Sequence, residues 1–511
     1  MRPILLLFFL SAAQAATSDE CAACHREIYD RYRHTPMAVT SGVPAREDLA
    51  RATFTHAATG FRYRVYRDRA GLAFEFTKDP VHGSRELPWF IGSGATARSY
   101  LVADDGYLFE APVAYYSAAR KWDLAPAYDR YAYPFLTRPV LPACLACHAS
   151  ALNPVAGTHN QYGAPPFAEP GISCERCHGP GDRHIASAKA ADIVNPARLP
   201  ADRRDSVCAQ CHLSGEVRAM HPGARWSTYH PGDRLSDSIA VFVRAGATPG
   251  ITVTSHVEKL AQSACKQSAG DKLWCGSCHD PHGQRKSDRE MCLGCHGVTA
   301  ATCAAKQHDD CTRCHMPKSS ATDAQHVVYT DHSIPRRPRK PALVAQGSDL
   351  VPFPGFSDSP RDLALAWAIV AARPERTTDR PRALALLQQA GRDHPDDAEI
   401  LVYLAEIYRN TGKPDEAIPL YERALHLDPT QLTATVGLGG IMMERRQFAG
   451  AIRLWEDALA KDAGLVLVRT NLAMAYWQIG DMANAERHLV KAVAMAPGFA
   501  APAGLLAKLR R

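Results

Sequence analysis

Seven times in the first two-thirds of the chain, a Cys-x-x-Cys pair is followed directly by a histidine. Two thiols at this spacing can form thioether bonds to one porphyrin, and the adjacent imidazole then lies beneath the iron as its proximal ligand. The pattern takes up 14 of the 16 cysteines. The sequence therefore predicts seven covalently bound haem c groups, one at each motif. The predicted thioether cysteines and proximal histidines are, motif by motif, Cys21, Cys24 and His25; Cys144, Cys147 and His148; Cys174, Cys177 and His178; Cys208, Cys211 and His212; Cys275, Cys278 and His279; Cys292, Cys295 and His296; and Cys311, Cys314 and His315.

Zinc is the nearest alternative ligand for these cysteines. A structural zinc site needs two Cys-x-x-Cys pairs brought together, or four ligands of mixed cysteine and histidine type. Nothing in zinc binding requires a histidine directly after every second cysteine. A disulfide framework is a weaker alternative, because cysteines three residues apart cannot join distant segments of the chain.

The chain opens with Arg2 and an apolar stretch over residues 4–10, followed by the small residues Ala13 and Ala15. This pattern predicts a secretory signal peptide over residues 1–15, because the apolar stretch is too short to span a bilayer. An uncleaved anchor is the alternative. No later stretch approaches the roughly 18 apolar residues of a membrane helix, so we expect no membrane span in the mature chain. The formal net charge of +6 over 511 residues favours neither a nucleic-acid partner nor strong binding to a membrane surface.

The interval between the first and second motifs has the alternation of β-strands. Residues 61–66 and 72–76 alternate along the chain and flank a predicted turn at 68–71, which indicates a hairpin. Residues 99–102 and 107–110 flank Asp104-Asp-Gly106 and predict a second hairpin. We therefore expect a small antiparallel sheet beside the haem groups.

After a proline-rich linker, the C-terminal part repeats with a period of 34 residues. Aligned over 364–397, 398–431, 432–465 and 466–499, the repeats place small residues at their eighth, twentieth and twenty-seventh positions. Larger residues lie between them, at Leu387, Tyr421, Trp455 and Leu489. This pattern resembles the tetratricopeptide repeat family. The resemblance implies helical hairpins stacked into a superhelix with a concave groove for a peptide or protein ligand.

The sixth coordination position of each iron decides what its site can do. A second histidine gives a low-potential electron carrier, a methionine raises the potential, and an open position permits substrate chemistry. His34 lies nine residues after His25, a distance of about 13 Å on a predicted helix, and His282 lies three residues after His279. Neither can oppose the histidine of its own motif. Both are therefore expected to reach a neighbouring haem.

Two segments, from Cys174 to His184 and from Cys275 to His282, resemble multihaem cytochromes related to the tetrahaem cytochrome of ammonia oxidation. Hydroxylamine oxidoreductase and pentahaem nitrite reductase belong to the same group. The segment 311–332 is similar to the closing segment of that group. The resemblance implies that His184 and His282 are distal ligands and that assembly occurs outside the cytoplasm, with the periplasm as the expected location. Further predicted distal ligands are His34, His256 and His332, and additional candidates are His56 and His326.

Two cysteines lie outside the motifs, Cys265 and Cys303. In an oxidising compartment a spare pair of thiols most often forms a disulfide. We therefore predict a Cys265–Cys303 bond, with a free thiol ligand or reactive thiol as the alternative.

These observations predict a mainly α protein: a multihaem cytochrome c domain with a small antiparallel β insert, followed by an α-solenoid of tetratricopeptide repeats. The predicted divisions are a signal peptide (1–15), a first haem segment with the β-rich insert (16–140), a six-haem domain (141–334), a proline-rich linker (335–360) and a domain of four repeats plus a C-terminal cap (361–511).

Two functions fit this organisation. The first is a periplasmic electron carrier between redox partner proteins, docked through its repeats. The second is a multihaem oxidoreductase that acts on a small nitrogen or sulfur species at one five-coordinate haem. The Cys-x-x-Cys-Lys variant of pentahaem nitrite reductases is absent from the sequence, which argues against ammonia-forming nitrite reduction. The sequence leaves the choice between carrier and enzyme open, with the carrier favoured.

Overall fold

Two packed antiparallel sheets occupy most of the interval between the first and second motifs. The computed structural model describes residues 16–45, 51–246, 250–284, 287–297, 310–336 and 349–511. One sheet has the order β1-β6-β7-β8-β10 with β9 on β8, and the other has the order β2-β3-β4-β5. The strands are β1 (Ser41–Gly42), β2 (Ala52–Thr55), β3 (Arg62–Arg67), β4 (Leu72–Lys78), β5 (Val81–Glu86), β6 (Trp89–Ile91), β7 (Ala97–Asp104), β8 (Tyr107–Tyr116), β9 (Lys121–Leu124) and β10 (Arg138–Pro139).

Both predicted hairpins are present, as β3–β4 and β7–β8. Asp105 and Gly106 join β7 to β8 with positive φ angles of 52° and 82°, the backbone of a two-residue turn that matches the twist of a hairpin. Buried side chains of both sheets, including Phe74 and Tyr100, form one shared core. The prediction of a small insert was wrong in size, because polar strands such as β5 carry no hydrophobic alternation strong enough to be recognised in the sequence.

Short helices and small sheets carry the remaining haem motifs. The helices are α1 (Ser18–Ala22), α2 (Arg26–Tyr32), α3 (Pro142–Leu145), α4 (Glu175–His178), α5 (Asp182–Ser187), α6 (Ala201–His212), α7 (His256–Ala261), α8 (Ala264–Ala269), α9 (Cys275–Cys278), α10 (Asp288–His296) and α11 (Thr312–His315). The strands are β11 (Ala149–Pro154), β12 (Tyr162–Pro170), β13 (Val217–Met220), β14 (Ile239–Arg244), β15 (Lys318–Ser320), β16 (Val328–Thr330) and β17 (Leu350–Pro352).

The three-stranded sheet β13-β14-β17 lies between a haem motif and the repeats. Alternate side chains of β14 point to opposite faces, as the pleat of a strand requires. Val241 packs with Ala209 of α6, the helix of the fourth motif, whereas Phe242 packs with α12 (Pro360–Ala371). Because β17 lies within the predicted linker 335–360, that part of the linker belongs to the fold and is not a spacer.

The C-terminal region is a stack of antiparallel helix pairs. The second and later pairs begin at residues 398, 432 and 466, and their second helices begin at 414, 448 and 482, which is the predicted period of 34. The helices after α12 are α13 (Arg380–Asp393), α14 (Ala398–Asn410), α15 (Pro414–Leu427), α16 (Leu432–Glu444), α17 (Phe448–Lys461), α18 (Val466–Gln478), α19 (Met482–Met495) and α20 (Ala500–Leu509).

Both ends of this stack contact the rest of the chain. At the first end, the buried Arg361 of α12 donates to the carbonyl oxygen of Met220 at the end of β13, at 2.6 Å. At the other end, the Tyr107 hydroxyl donates to the carbonyl oxygen of Ala460 at 2.6 Å, and Lys491 pairs with Asp104 at 2.9 Å. The solenoid is therefore attached to the haem-motif region near both of its ends.

Candidate haem-binding sites

The local backbone explains why four of the motifs, the first, third, fifth and seventh, present their three side chains together. In a helical turn, positions i, i+3 and i+4 lie on one face. The backbone N–H of the motif histidine donates to the carbonyl of the first cysteine at 2.9 Å for His25, 3.0 Å for His178, 2.9 Å for His279 and 3.0 Å for His315. Two thiols and an imidazole therefore point to the same side, as attachment of one porphyrin requires.

Several of the imidazoles are held by a hydrogen bond at Nδ1. His178 Nδ1 lies 2.8 Å from the carbonyl oxygen of Val194, and His315 Nδ1 lies 3.0 Å from that of Pro335. His148 Nδ1 lies 3.0 Å from the hydroxyl of Thr40. A carbonyl can only accept, so the proton is on Nδ1 of His178 and His315 and their Nε2 atoms are free to ligate a metal.

Burial keeps several of these imidazoles neutral. Desolvation lowers the pKa of His148 to about 4 and that of His256 to about 3. Desolvation also lowers the pKa of His178, His212 and His332. Neutral imidazole is the form that binds iron, so these side chains are ready ligands near pH 7.

Three motif histidines face a second imidazole at nearly the same distance. The ring centres of His25 and His184 are 6.1 Å apart with an angle of 15° between the ring planes. The corresponding values are 6.0 Å and 20° for His178 and His282, and 6.2 Å and 35° for His279 and His332. Two imidazoles that each bind one metal ion at about 2.0 Å have ring centres roughly 6 Å apart. The three pairs therefore have the spacing at which two imidazoles could hold one iron between them.

A fourth pair has a different geometry. The ring centres of His212 and His256 are 5.1 Å apart and their planes are nearly perpendicular, at 88°. His256 is also 5.1 Å from His332 and contacts Tyr329 edge to face at 5.5 Å. Its buried Nδ1 has no hydrogen-bond partner.

Cysteines of different motifs also meet. The thiols of Cys21 and Cys174, of Cys147 and Cys211, and of Cys208 and Cys275 are neighbours. The neighbouring Cys21 thiol lowers the pKa of Cys174. The first motif therefore contacts the third, the second contacts the fourth, and the fourth contacts the fifth.

The exposed surface next to one imidazole pair is also consistent with haem. Ile28 and Ile185 lie within three residues of His25 and His184 and are 38% and 49% exposed. Haem is largely apolar, so a porphyrin bound at this pair would cover such side chains. Thiols, neutral imidazoles and apolar contacts together are the donor set and surroundings that haem c needs.

In the ranges that the structure covers, no group of three or more His, Cys, Asp or Glu residues is arranged to hold a metal ion directly.

The other predicted ligands occupy different surroundings. His34 is exposed just after α2, and His56 lies in the turn between β2 and β3, where its Nδ1 is 2.9 Å from the Thr59 hydroxyl. His326 Nε2 lies 2.9 Å from an oxygen of Asp123. Nε2 is the nitrogen that a distal ligand would use, and here it contacts the carboxylate of the β insert, so ligation by His326 stays a prediction.

Two predictions involve residues that the structure does not describe. Cys303 lies outside the described residues, so the predicted disulfide with the half-buried Cys265 stays a prediction. The predicted signal peptide over residues 1–15 also lies outside them. Among the residues that are described, no helix has the length and apolar character needed to cross a membrane.

Known protein families match two separate parts of the chain. Residues 129–179 match the family model described as cytochrome c554 and c-prime. Residues 375–431, 411–464 and 442–509 match tetratricopeptide repeat models. The multihaem cytochrome MtrA of Shewanella baltica (strain OS185) is 24% identical over 177 residues, which are 30% of this chain and 52% of MtrA. The chain therefore spans about half the length of that relative.

Further similarities involve repeat proteins. Human protein O-mannosyl-transferase TMTC3 is 30% identical over 112 residues, which are 22% of this chain and 12% of that protein. The crystal structure of MamA is 21% identical with a TM-score of 0.25, over 26% of this chain and 79% of MamA. The structure of pilF from Pseudomonas aeruginosa is 21% identical with a TM-score of 0.26, over 30% of this chain and 68% of that chain. Taken with the seven motifs and the 34-residue repeats, the family matches show that this chain resembles a multihaem c-type cytochrome fused to a tetratricopeptide repeat domain.

Proposed function

We propose that this chain is a seven-haem electron carrier of the periplasm that passes electrons between redox partner proteins. The observation that carries this proposal is the set of facing imidazoles at 6.0–6.2 Å. Two histidine ligands leave no position on the iron for a substrate, and they favour electron transfer over catalysis. When bound, haem c supplies one-electron redox chemistry at each motif.

The proposed ligand sets follow from the pairs. The cysteines and histidine of each motif hold one haem from one side. His184 supplies the second ligand opposite His25, His282 opposite His178, and His332 opposite His279. His256 is assigned to His212, the ring that it contacts edge to face. His34 remains a predicted ligand for a neighbouring site.

The contacts between motifs support transport over several sites. A carrier needs redox groups that lie close together, and three thiol–thiol contacts bring attachment cysteines of different motifs side by side. Three of the proposed distal histidines, His184, His282 and His332, strengthen this connection, because each follows a later motif than the histidine that it faces. His184 follows the third motif and His282 follows the fifth.

The repeats are proposed as the docking element. Tetratricopeptide repeats present a concave surface to a peptide or protein ligand. The repeats of this chain are fixed against the haem-motif region at Arg361 and at Tyr107. A partner bound to them would therefore be held at a constant position relative to the haem sites.

Expression of the whole chain with a cytochrome maturation system tests the proposal. The purified protein should carry the mass of seven haem groups, and its electron paramagnetic resonance spectrum should be dominated by low-spin ferric iron. A protein without covalent haem would contradict the proposal. A prominent high-spin signal, together with carbon monoxide binding after reduction, would instead favour the multihaem oxidoreductase.

A further inference from the structure

The paired imidazoles differ in what their Nδ1 atoms contact. His178 Nδ1 donates to the carbonyl oxygen of Val194 at 2.8 Å, and His332 Nδ1 donates to that of Thr330 at 3.0 Å. His184 Nδ1 donates to the carbonyl oxygen of Lys189 at 2.9 Å. These three acceptors are neutral. His282 is different, because its Nδ1 lies 3.2 Å from a carboxylate oxygen of Asp280.

The local sequence builds this contact. Asp280, Pro281, His282 and Gly283 occupy the four positions of a turn in which the N–H of Gly283 donates to the carbonyl of Asp280 at 3.1 Å. Aspartate first, proline second and glycine fourth are the preferences of a type I turn. The same carboxylate oxygen accepts the backbone N–H of His282 at 2.9 Å. Two donors of one residue therefore hold Asp280 against the imidazole.

We propose that Asp280 is a positioning residue that lowers the reduction potential of the third site, an inference that rests on the proposed pairing of His178 with His282. A carboxylate that accepts the second N–H of a ligating imidazole fixes the ring and makes it a more basic ligand. A more basic ligand stabilises ferric over ferrous iron. The third site is therefore more reducing than it would be with a neutral carbonyl at the same position.

Replacement of the carboxylate by an amide isolates this effect. Asp280→Asn keeps an oxygen that can accept the backbone N–H and removes the negative charge. Loss of the group that accepts the other N–H of a ligating histidine typically costs about 10–100-fold in metal affinity. We expect at least a tenfold shift of the ferric–ferrous equilibrium toward ferrous iron, which is about 59 mV for a one-electron couple.

The measurement is a potentiometric titration of the haem-loaded, full-length protein, followed by electron paramagnetic resonance. His282→Ala first identifies the low-spin signal of the third site as the signal that it removes. In Asp280→Asn, that signal should titrate at a more positive potential. Asp280→Glu keeps the charge and should retain most of the low potential, which a purely structural role of Asp280 would not predict.

Asp182→Asn is the matched control. Asp182 lies two residues before His184, as Asp280 lies two residues before His282, but the Nδ1 of His184 bonds to the carbonyl of Lys189. Asp182→Asn should leave the potential of the third site unchanged. An unshifted third-site signal in Asp280→Asn, or an equal shift in Asp182→Asn, would overturn the role of Asp280 alone. If His282→Ala removed no low-spin signal, the proposed pairing itself would fail.

Discussion

At the scale of single residues, the histidines proposed to bind iron form two groups: those that a sequence motif predicts and those that it does not. The proximal histidines follow from the position directly after each Cys-x-x-Cys pair. The proposed distal histidines come from far along the chain, and only the fold brings the rings of His25 and His184 to 6.1 Å. On the proposed pairing, tertiary structure therefore specifies the second set of ligands.

Removal of one distal imidazole should convert one site. In His184→Ala, the iron held by His25 loses its proposed second ligand, so one low-spin signal should be replaced by a high-spin signal. Electron paramagnetic resonance of the ferric protein measures the change. His230→Ala is the control, because His230 is exposed and lies outside the imidazole pairs. The assignment is contradicted if both variants retain the full set of low-spin signals.

The sequence could predict His184 and His282 by resemblance, but not the groups that orient the rings. Thr40 and the carbonyls of Val194 and Pro335 reach motif histidines from segments distant in the chain. Every residue carries a backbone carbonyl, so no residue type marks such an acceptor. The Asp280 contact is the exception, because the Asp-Pro-His-Gly turn is local and could have been recognised.

At the scale of elements, the repeats show how well a periodic pattern predicts structure. The starts of α14, α16 and α18 agree with the predicted repeats, since small residues recur wherever two helices must approach closely. The third repeat has the largest side chain between its small positions, Trp455, and it alone has glycine, Gly439, at the eighth position. A Cβ atom at Gly439 would lie 2.6 Å from the indole nitrogen of Trp455.

Two neighbouring glycines should therefore respond in opposite directions to the same substitution. Gly440→Ala meets no atom within 4 Å and should raise the free energy of unfolding by about 0.8–1 kcal/mol through helix propensity. Gly439→Ala gains the same propensity but displaces the Trp455 ring, at a cost of about 1–3 kcal/mol. Thermal unfolding followed by circular dichroism compares the two. Equal stabilisation by both substitutions would contradict the packing.

The strand β14 connects two regions through its alternating side chains. Phe242 is 0% exposed and packs against α12, so Phe242→Ala should lower the free energy of unfolding by about 3–5 kcal/mol. Val243 on the same strand is half-buried, and Val243→Ala is the control with a much smaller expected loss. Urea unfolding measures both. A loss in Val243→Ala as large as that in Phe242→Ala would show that the contact with the repeats is not what stabilises this sheet.

At the scale of the whole molecule, the repeats and the haem-motif region are one packed assembly over the described residues. Tyr107 and Phe109 of β8 pack with Val466 and Met495 of the last repeat. The sequence predicted a proline-rich linker between the haem-motif region and the repeats. Contacts between residues separated by hundreds of positions leave no local pattern, so this docking could not be predicted from the sequence.

Loss of the Tyr107 contact should lower the local stability of the third and last repeats without disturbing the haem sites. In Tyr107→Ala, hydrogen exchange should increase across α17 to α19, because the bond to Ala460 and the aromatic packing are both removed. The visible absorption spectrum should stay unchanged. Tyr66→Ala is the control, since Tyr66 contacts Arg64 of its own strand. Unchanged exchange in Tyr107→Ala would show that the docking contributes little to the stability of the repeats.

The order of facing histidines along the chain has a consequence for incomplete polypeptides. His184, His282 and His332 each face a ring that is synthesised earlier. Each of these imidazole pairs is therefore incomplete until a later segment of the chain has been synthesised. On the proposed pairing, a premature stop codon before residue 282 would remove the second imidazole from the site of His178. Such nonsense fragments would bind diatomic gases, and carbon monoxide would distinguish them from the finished protein by colour.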